Sequence, residues 1–133
     1  MGSLFVVRHA TTAASESGRN LGQGSDPPLT PDGVRLAQRI GQAIAQELSE
    51  LPHDSLRVVS SPALRCRQTA DALTTALPRE RPPLESDPAL LEIDYGAWEG
   101  LTAAECRERD PELRAAWEAD PFATRCPGGE SGG

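Results

Sequence analysis

Arg8 and His9 follow a four-residue apolar run, Leu4-Phe5-Val6-Val7, and precede Ala10, Thr11 and Thr12. A guanidinium is a permanent cation whose planar fork of donors suits phosphate or carboxylate. The imidazole beside it can serve as a nitrogen nucleophile, a general base or a metal ligand. A bare Arg-His pair equally fits a strand that simply ends in two solvated residues. Arg65 presents the same choice. Near a helix N-terminus just after a strand edge it is well placed for a phosphate, yet it also reads as a solvated helix residue.

The elements that must position these groups alternate in type. Leu4 to Val7 reads as a short buried strand of a parallel sheet, delivering Arg8 and His9 to its carboxyl edge. Residues 13–28 form a long polar connection. Thr30-Pro31 is an N-cap with proline in the first turn, and Ala37, Ile40, Ile44, Leu48 and Leu51 make one apolar helical face that Pro52 closes. Leu56 to Val59 predicts a second strand. Ser60-Ser61-Pro62 then opens a helix with Cys66, Ala70, Leu73 and Leu77 on one face. Arg81-Pro82-Pro83 is a linker within the domain. Ala89 to Ile93 is a third strand or an extended approach to the site, and Asp94 to Gly100 is turn-like. Thr102-Ala103-Ala104-Glu105 fits a capping box, Asp110-Pro111 repeats the cap-and-proline device, and Leu113 with Trp117 gives the last helix its contact face. The pattern is α/β with a mainly parallel sheet. So thin a sheet leaves edges uncovered, and self-association is expected from them.

Composition narrows the function classes. A chain of 133 residues, 38% hydrophobic and 25% charged, suits one domain, residues 1–133. A net charge of −7 argues against nucleic-acid binding, although a local arginine cluster can still hold an anion. No apolar run reaches the length of a membrane span, and no signal peptide is visible. Cys66, Cys106 and Cys126 show no Cys-x-x-Cys pair, which fits reduced thiols and a cytoplasmic location. With His9 and an ordinary surface histidine, His53, as the only imidazoles, no metal site and no cofactor are expected.

Four separated pieces coincide in type and order: Val7-Arg8-His9-Ala10-x-Thr12; Gln23-Gly24-x-Asp26-x-Pro28-Leu29-Thr30; Ser60-Ser61-Pro62-x-x-Arg65-x-x-Gln68-Thr69-Ala70; and Leu90-x-Glu92-x-x-Tyr95-Gly96-x-Trp98-Glu99-Gly100. Together with Pro127-Gly128-Gly129-Glu130-Ser131, they resemble the histidine phosphatase superfamily, also called phosphoglycerate mutase-like. The resemblance implies a three-layer α/β fold of that type with a mainly parallel sheet, lacking its C-terminal portion. It implies His9 as the nucleophile through a phosphohistidine, Arg8 and Arg65 on the phosphoryl oxygens, and Glu92 as general acid. Thr12, Gln23, Gly24 and Tyr95 would bind substrate, a small-molecule phosphate ester, without a metal. Members carry a second histidine beyond the Pro-Gly-Gly-Glu-Ser landmark, and none follows His53 here. Ser15 replaces a common asparagine, Ala10 the commoner glycine, and no lysine follows Gly100-Leu101 as in glycolytic mutases. The expectation is therefore a phosphatase. The alternatives are an inactive fragment or pseudoenzyme that binds phosphate or a protein partner, and mutase-type phosphoryl transfer.

Overall fold

Thr30 and Pro31 do what their types dictate. The Thr30 hydroxyl accepts the Gly33 amide at 3.0 Å, and Pro31 starts the longest helix. The computed structural model describes residues 2–51, 55–77 and 82–133, so the expectations for Pro52, His53 and Arg81 lie outside the described residues. The chain divides into two compact units, one of residues 1–12 and 28–90, the other of residues 13–27 and 91–133.

In the first unit, α2 (Pro31–Glu50) buries Ala37 and Leu48 of the foreseen face together with Gly33 and Gly41, while Ile40 and Ile44 are half-buried and Leu51, just past the helix, is exposed. The short α1 (Ala13–Glu16) belongs to the other unit. Strand β1 (Val58–Ser60) pairs in parallel with β2 (Leu84–Ser86), Val58 opposite Leu84 and Ser60 opposite Ser86. Helix α3 (Leu64–Thr74) lies between them in sequence, the crossover that a parallel pair requires. Ala10, Leu29, Ala37 and Ala72 form the core, with Val34 packed against it. Small residues let α2 and α3 approach closely: a Cβ at Gly41 would fall on the Leu73 carbonyl.

Three local expectations are corrected here. Leu4 to Val7 forms no strand, and Leu4 and Val6 are 87% and 86% exposed. A strand exists only through a neighbour's amides and carbonyls, and among the described residues the sheet holds β1 and β2 alone. Helix α3 begins at Leu64, beyond Pro62, because the Ser61 hydroxyl accepts the Ala63 amide at 3.3 Å and closes a separate turn first. Ala89 to Ile93 holds no strand: the strand after α3 is Leu84–Ser86, Pro88–Leu90 is a 3₁₀ turn held by the Asp87 carboxylate on the Ala89 amide, and Leu91 to Ile93 form neither helix nor strand.

In the second unit, α4 (Ala103–Arg109) opens with the foreseen capping box, Thr102 and Glu105 each bonding the other's backbone amide. Helix α5 (Pro111–Ala119) starts at Pro111, but the Asp110 side chain does not cap it. That carboxylate instead accepts the Trp98 indole N–H at 2.8 Å. A fully buried indole needs such a partner. Trp98, Cys106 and Cys126 make the core, flanked by Ile93, Tyr95, Leu101, Leu113 and Trp117. Trp98 meets Trp117 edge-on at 6.1 Å, and the Arg114 guanidinium lies 5.5 Å from its ring centre.

Gly41→Ala should destabilise the protein by about 1–3 kcal/mol through overpacking, while Gln42→Ala, one exposed position on, should stay within about 0.5 kcal/mol. Equal denaturant midpoints for the two variants would refute the close α2–α3 contact. Thr102→Ala should cost about 1 kcal/mol by loss of the cap. The Glu105 carboxyl is held below its usual range, first by the Thr102 amide and then by Arg19. Its contribution is present above the unfolded carboxyl range and fades as pH falls through the folded value. Glu105→Gln should therefore flatten the acid limb of the stability curve, as read by thermal melts between pH 7 and 3.

Candidate active site

The candidate groups sort by unit. Arg8, His9, Thr12 and Arg65 belong to the first, and Gln23, Gly24, Glu92 and Tyr95 to the second.

His9 is half-buried, and its Nδ1 lies 2.8 Å from its neighbour Ala10's carbonyl oxygen. A carbonyl can only accept, so in that contact Nδ1 carries the proton, and in the neutral ring the lone pair then lies on Nε2. The ring is thus held in the tautomer that a nitrogen nucleophile needs. The following amide, Ala10 N–H, donates to the Thr69 hydroxyl at 2.9 Å, and that hydroxyl donates to the Arg65 carbonyl at 2.7 Å. One threonine on α3 therefore joins the histidine segment to the helical turn that carries Arg65. Arg65 is 2% exposed, where a permanent charge is tolerated only among acceptors. Arg8 is exposed.

The segment after His9 is fixed on two sides. The Thr30 amide donates to the Thr11 carbonyl at 2.9 Å, and fully buried Thr12 pairs with Leu29 in an isolated antiparallel bridge. The Leu29 amide in turn donates to the Gln68 side-chain oxygen at 2.8 Å. The Gln68-Thr69 pair of the motif thus acts as a bracket from α3 to the chain on both sides of the long connection.

In the second unit a carboxylate organises the Gln23-Gly24 turn. Glu99 accepts the Gln23 amide at 2.7 Å, and the Gly24 amide reaches both its oxygens at 3.0 and 2.9 Å. A Cβ at Gly24 would fall on Glu99 Oε2, so the residue's smallness is what permits the grip. The Gln23 side-chain amide donates to the Glu92 carbonyl at 2.9 Å and to Glu130 Oε2 at 3.1 Å. Glu130 Oε2 also accepts the Asp94 amide at 2.9 Å. The Glu92 side chain is exposed, and Tyr95 packs edge-on against Trp117 at 6.2 Å.

Glu99, Glu130 and Thr69 were present in the quoted motifs without a role. Their signal was chemical: consecutive amides beside glycines ask for an anion, and a carboxylate flanked by glycines on a closing loop can provide one. Burial pushes the Cys106 and Cys126 thiols up, which leaves them poor nucleophiles. A cavity of about 610 Å³ between α3 and β2 is lined by Arg67, Gln68, Asp71 and Glu85, among others, and by none of the predicted site residues. No helix among the described residues is long and apolar enough to cross a membrane.

Comparison with known proteins gives the chain its kin. A bifunctional protein of Mycobacterium tuberculosis is 40% identical over 128 residues, 96% of this chain and 32% of that protein. Phosphoserine phosphatase 1 of Hydrogenobacter thermophilus is 30% identical over 98% of this chain and 57% of its own length. A solved structure of mycobacterial glucosyl-3-phosphoglycerate phosphatase in complex with VO3 superposes with a TM-score of 0.74 at 28% identity, covering 92% of this chain and 56% of that one. The chain thus spans between a third and just over half the length of these three proteins. The sequence profile of the histidine phosphatase superfamily (branch 1) matches residues 4–133, so the chain belongs to that superfamily.

Proposed function

We propose that the protein hydrolyses small-molecule phosphate monoesters through a phosphohistidine on His9. The observation that carries this reading is the tautomer of His9, fixed by the Ala10 carbonyl, with its backbone tied through Thr69 to the turn bearing Arg65. In support, relatives of similar sequence are phosphatases, and one was solved with VO3, a stand-in for a phosphoryl group.

In the first step, the Nε2 lone pair attacks phosphorus and the P–O bond to the alcohol breaks. Arg8 and Arg65 neutralise the charge on the equatorial oxygens. Glu92 gives its proton to the leaving oxygen. In the second step, a water loses a proton to Glu92 and its oxygen displaces Nε2, releasing phosphate. Thr12, Gln23, Gly24 and Tyr95 line the substrate. Residues 1–133 belong to one histidine phosphatase-like domain, working in the cytoplasm with its cysteines free.

One observation favours a second reading, in which phosphate is bound but not turned over. Leu4 to Val7, which lead directly into Arg8, are exposed and form no strand. Hydrolysis of an aryl phosphate by the purified chain distinguishes the two. Turnover that falls to the buffer rate in His9→Ala supports the enzyme. A folded chain with no turnover, but with vanadate binding, supports the second reading.

Arg65→Ala should weaken vanadate binding about ten- to a hundredfold, the worth of a lost charge-assisted hydrogen bond. Unchanged affinity would remove the proposed phosphate pocket. Thr69→Val, which keeps the shape of the side chain, should lower turnover while thermal melts show a loss of about 1–3 kcal/mol for the stranded Ala10 amide. Self-association is expected through the exposed Leu4–Val7 run and the uncovered edge of β1. Light scattering that reports a monomer at every concentration tested would end that expectation.

A further inference from the structure

The cavity of about 610 Å³ between α3 and β2 has the size of a small-molecule site and holds none of the residues assigned to phosphate. It is built wholly from the first unit. Helix α3 forms one wall through Leu64, Arg67, Gln68 and Asp71, which recur at spacings of three and four and so share one face. Strand β2 forms the other wall.

The polar groups of this cavity divide into those already engaged and those still open. The Glu85 carboxylate accepts Arg57 Nε at 3.0 Å and Nη2 at 2.7 Å, so a guanidinium already answers its charge. The Ser60 hydroxyl gives its proton to the Ser61 carbonyl at 2.9 Å. The Gln68 oxygen accepts the Leu29 amide at 2.8 Å. A backbone N–H can only donate, so the orientation of the Gln68 amide is dictated by chemistry and its NH2 is turned away from Leu29. Three groups are left open: the Arg67 guanidinium, the Gln68 NH2 and the Ser86 hydroxyl, none of which has a partner among the described residues. The first two can only donate, and the third can donate. Arg67 adds a permanent positive charge.

We infer that this cavity binds a small organic monoanion, a carboxylate with an apolar body. The carboxylate accepts from Arg67, Gln68 and Ser86, and the body lies against Leu64 and Leu84. A guanidinium fork matches the two oxygens of a carboxylate, and the neighbouring donors fill its remaining lone pairs. Asp71 stands one turn beyond Arg67 on the same wall. Its carboxylate repels a second negative charge at that end, which favours a ligand with a single acidic group over a polyanion.

The test titrates the full ¹⁵N-labelled chain at neutral pH with benzoate, with the neutral isostere benzamide and with inorganic phosphate, and follows the backbone amide shifts. Benzoate should move the amides of Leu64, Arg67 and Gln68 together with those of β2. It should bind about five- to tenfold tighter than benzamide, the difference between a charge-assisted and a neutral hydrogen bond. Arg67→Ala, at an exposed position, should abolish that preference. Asp71→Asn should tighten benzoate about two- to fivefold by removing a like charge. Equal binding of benzoate and benzamide, or an unchanged preference in Arg67→Ala, overturns the anion assignment. Benzoate shifts confined to Ala10 and Arg65 and reversed by phosphate would place the anion at the phosphate site and overturn the separate cavity site. No shift from benzoate at any concentration overturns the site outright, whatever the phosphate titration shows.

Discussion

The hydroxyl of Thr69 is the point on which the nucleophile side of the protein depends. It has one proton, given to the Arg65 carbonyl, and so turns a lone pair toward the Ala10 amide. That amide is buried, and among the described residues no strand lies beside it to accept its proton. In a parallel sheet the backbone around His9 would be fixed by ladder bonds. Here a side chain on α3 does that work, and the cost of leaving the amide unmet is what holds the histidine segment against the helix. Ala10 sits in the same core as Ala37 and Ala72, so the hydrogen bond and the apolar contact enforce one another.

An analogous constraint governs the second unit, with carboxylates in place of a hydroxyl. Glu99 and Glu130 gather backbone amides from the Gln23-Gly24 turn and from Asp94. Segments that are distant in sequence are brought together by these charged acceptors along with backbone bonds such as the isolated Arg19–Thr102 bridge and the Asn20–Leu101 pair. Trp98 supplies the complementary apolar anchor, buried completely and tied by its indole to Asp110. This explains why Asp110 does not cap α5: the indole N–H would otherwise be a buried donor without an acceptor, a larger penalty than an exposed helix end facing water.

Local chemistry was legible in the sequence wherever one segment determined the outcome. Thr30-Pro31 and the Thr102–Glu105 box follow from spacing alone and are present, and Ala37 and Leu48 of the foreseen α2 face are buried. The motif residues of the candidate site were legible because phosphate chemistry admits few side-chain types. What the sequence did not disclose were properties of pairs. Leu4 to Val7 has the composition of a strand, but pairing is decided by a neighbour, and its own residues do not encode one. Glu130 looked like part of a glycine-rich loop. Only its meeting with Gln23, 107 positions away, turns it into an orienting group.

The candidate groups sort between the two units. Phosphoryl transfer calls for fixed positive charge on the equatorial oxygens and a proton source at the leaving oxygen. The candidates for the first task, Arg8, His9 and Arg65, belong to the unit that holds the alanine-lined core, and the candidate for the second, Glu92, to the unit that holds the Trp98 core. Each set has its own hydrogen-bonded brace, Thr69 in one and Glu130 in the other. Each unit thus fixes its own candidates by contacts internal to it, a hydroxyl between a buried amide and a carbonyl in one and a carboxylate on backbone amides in the other.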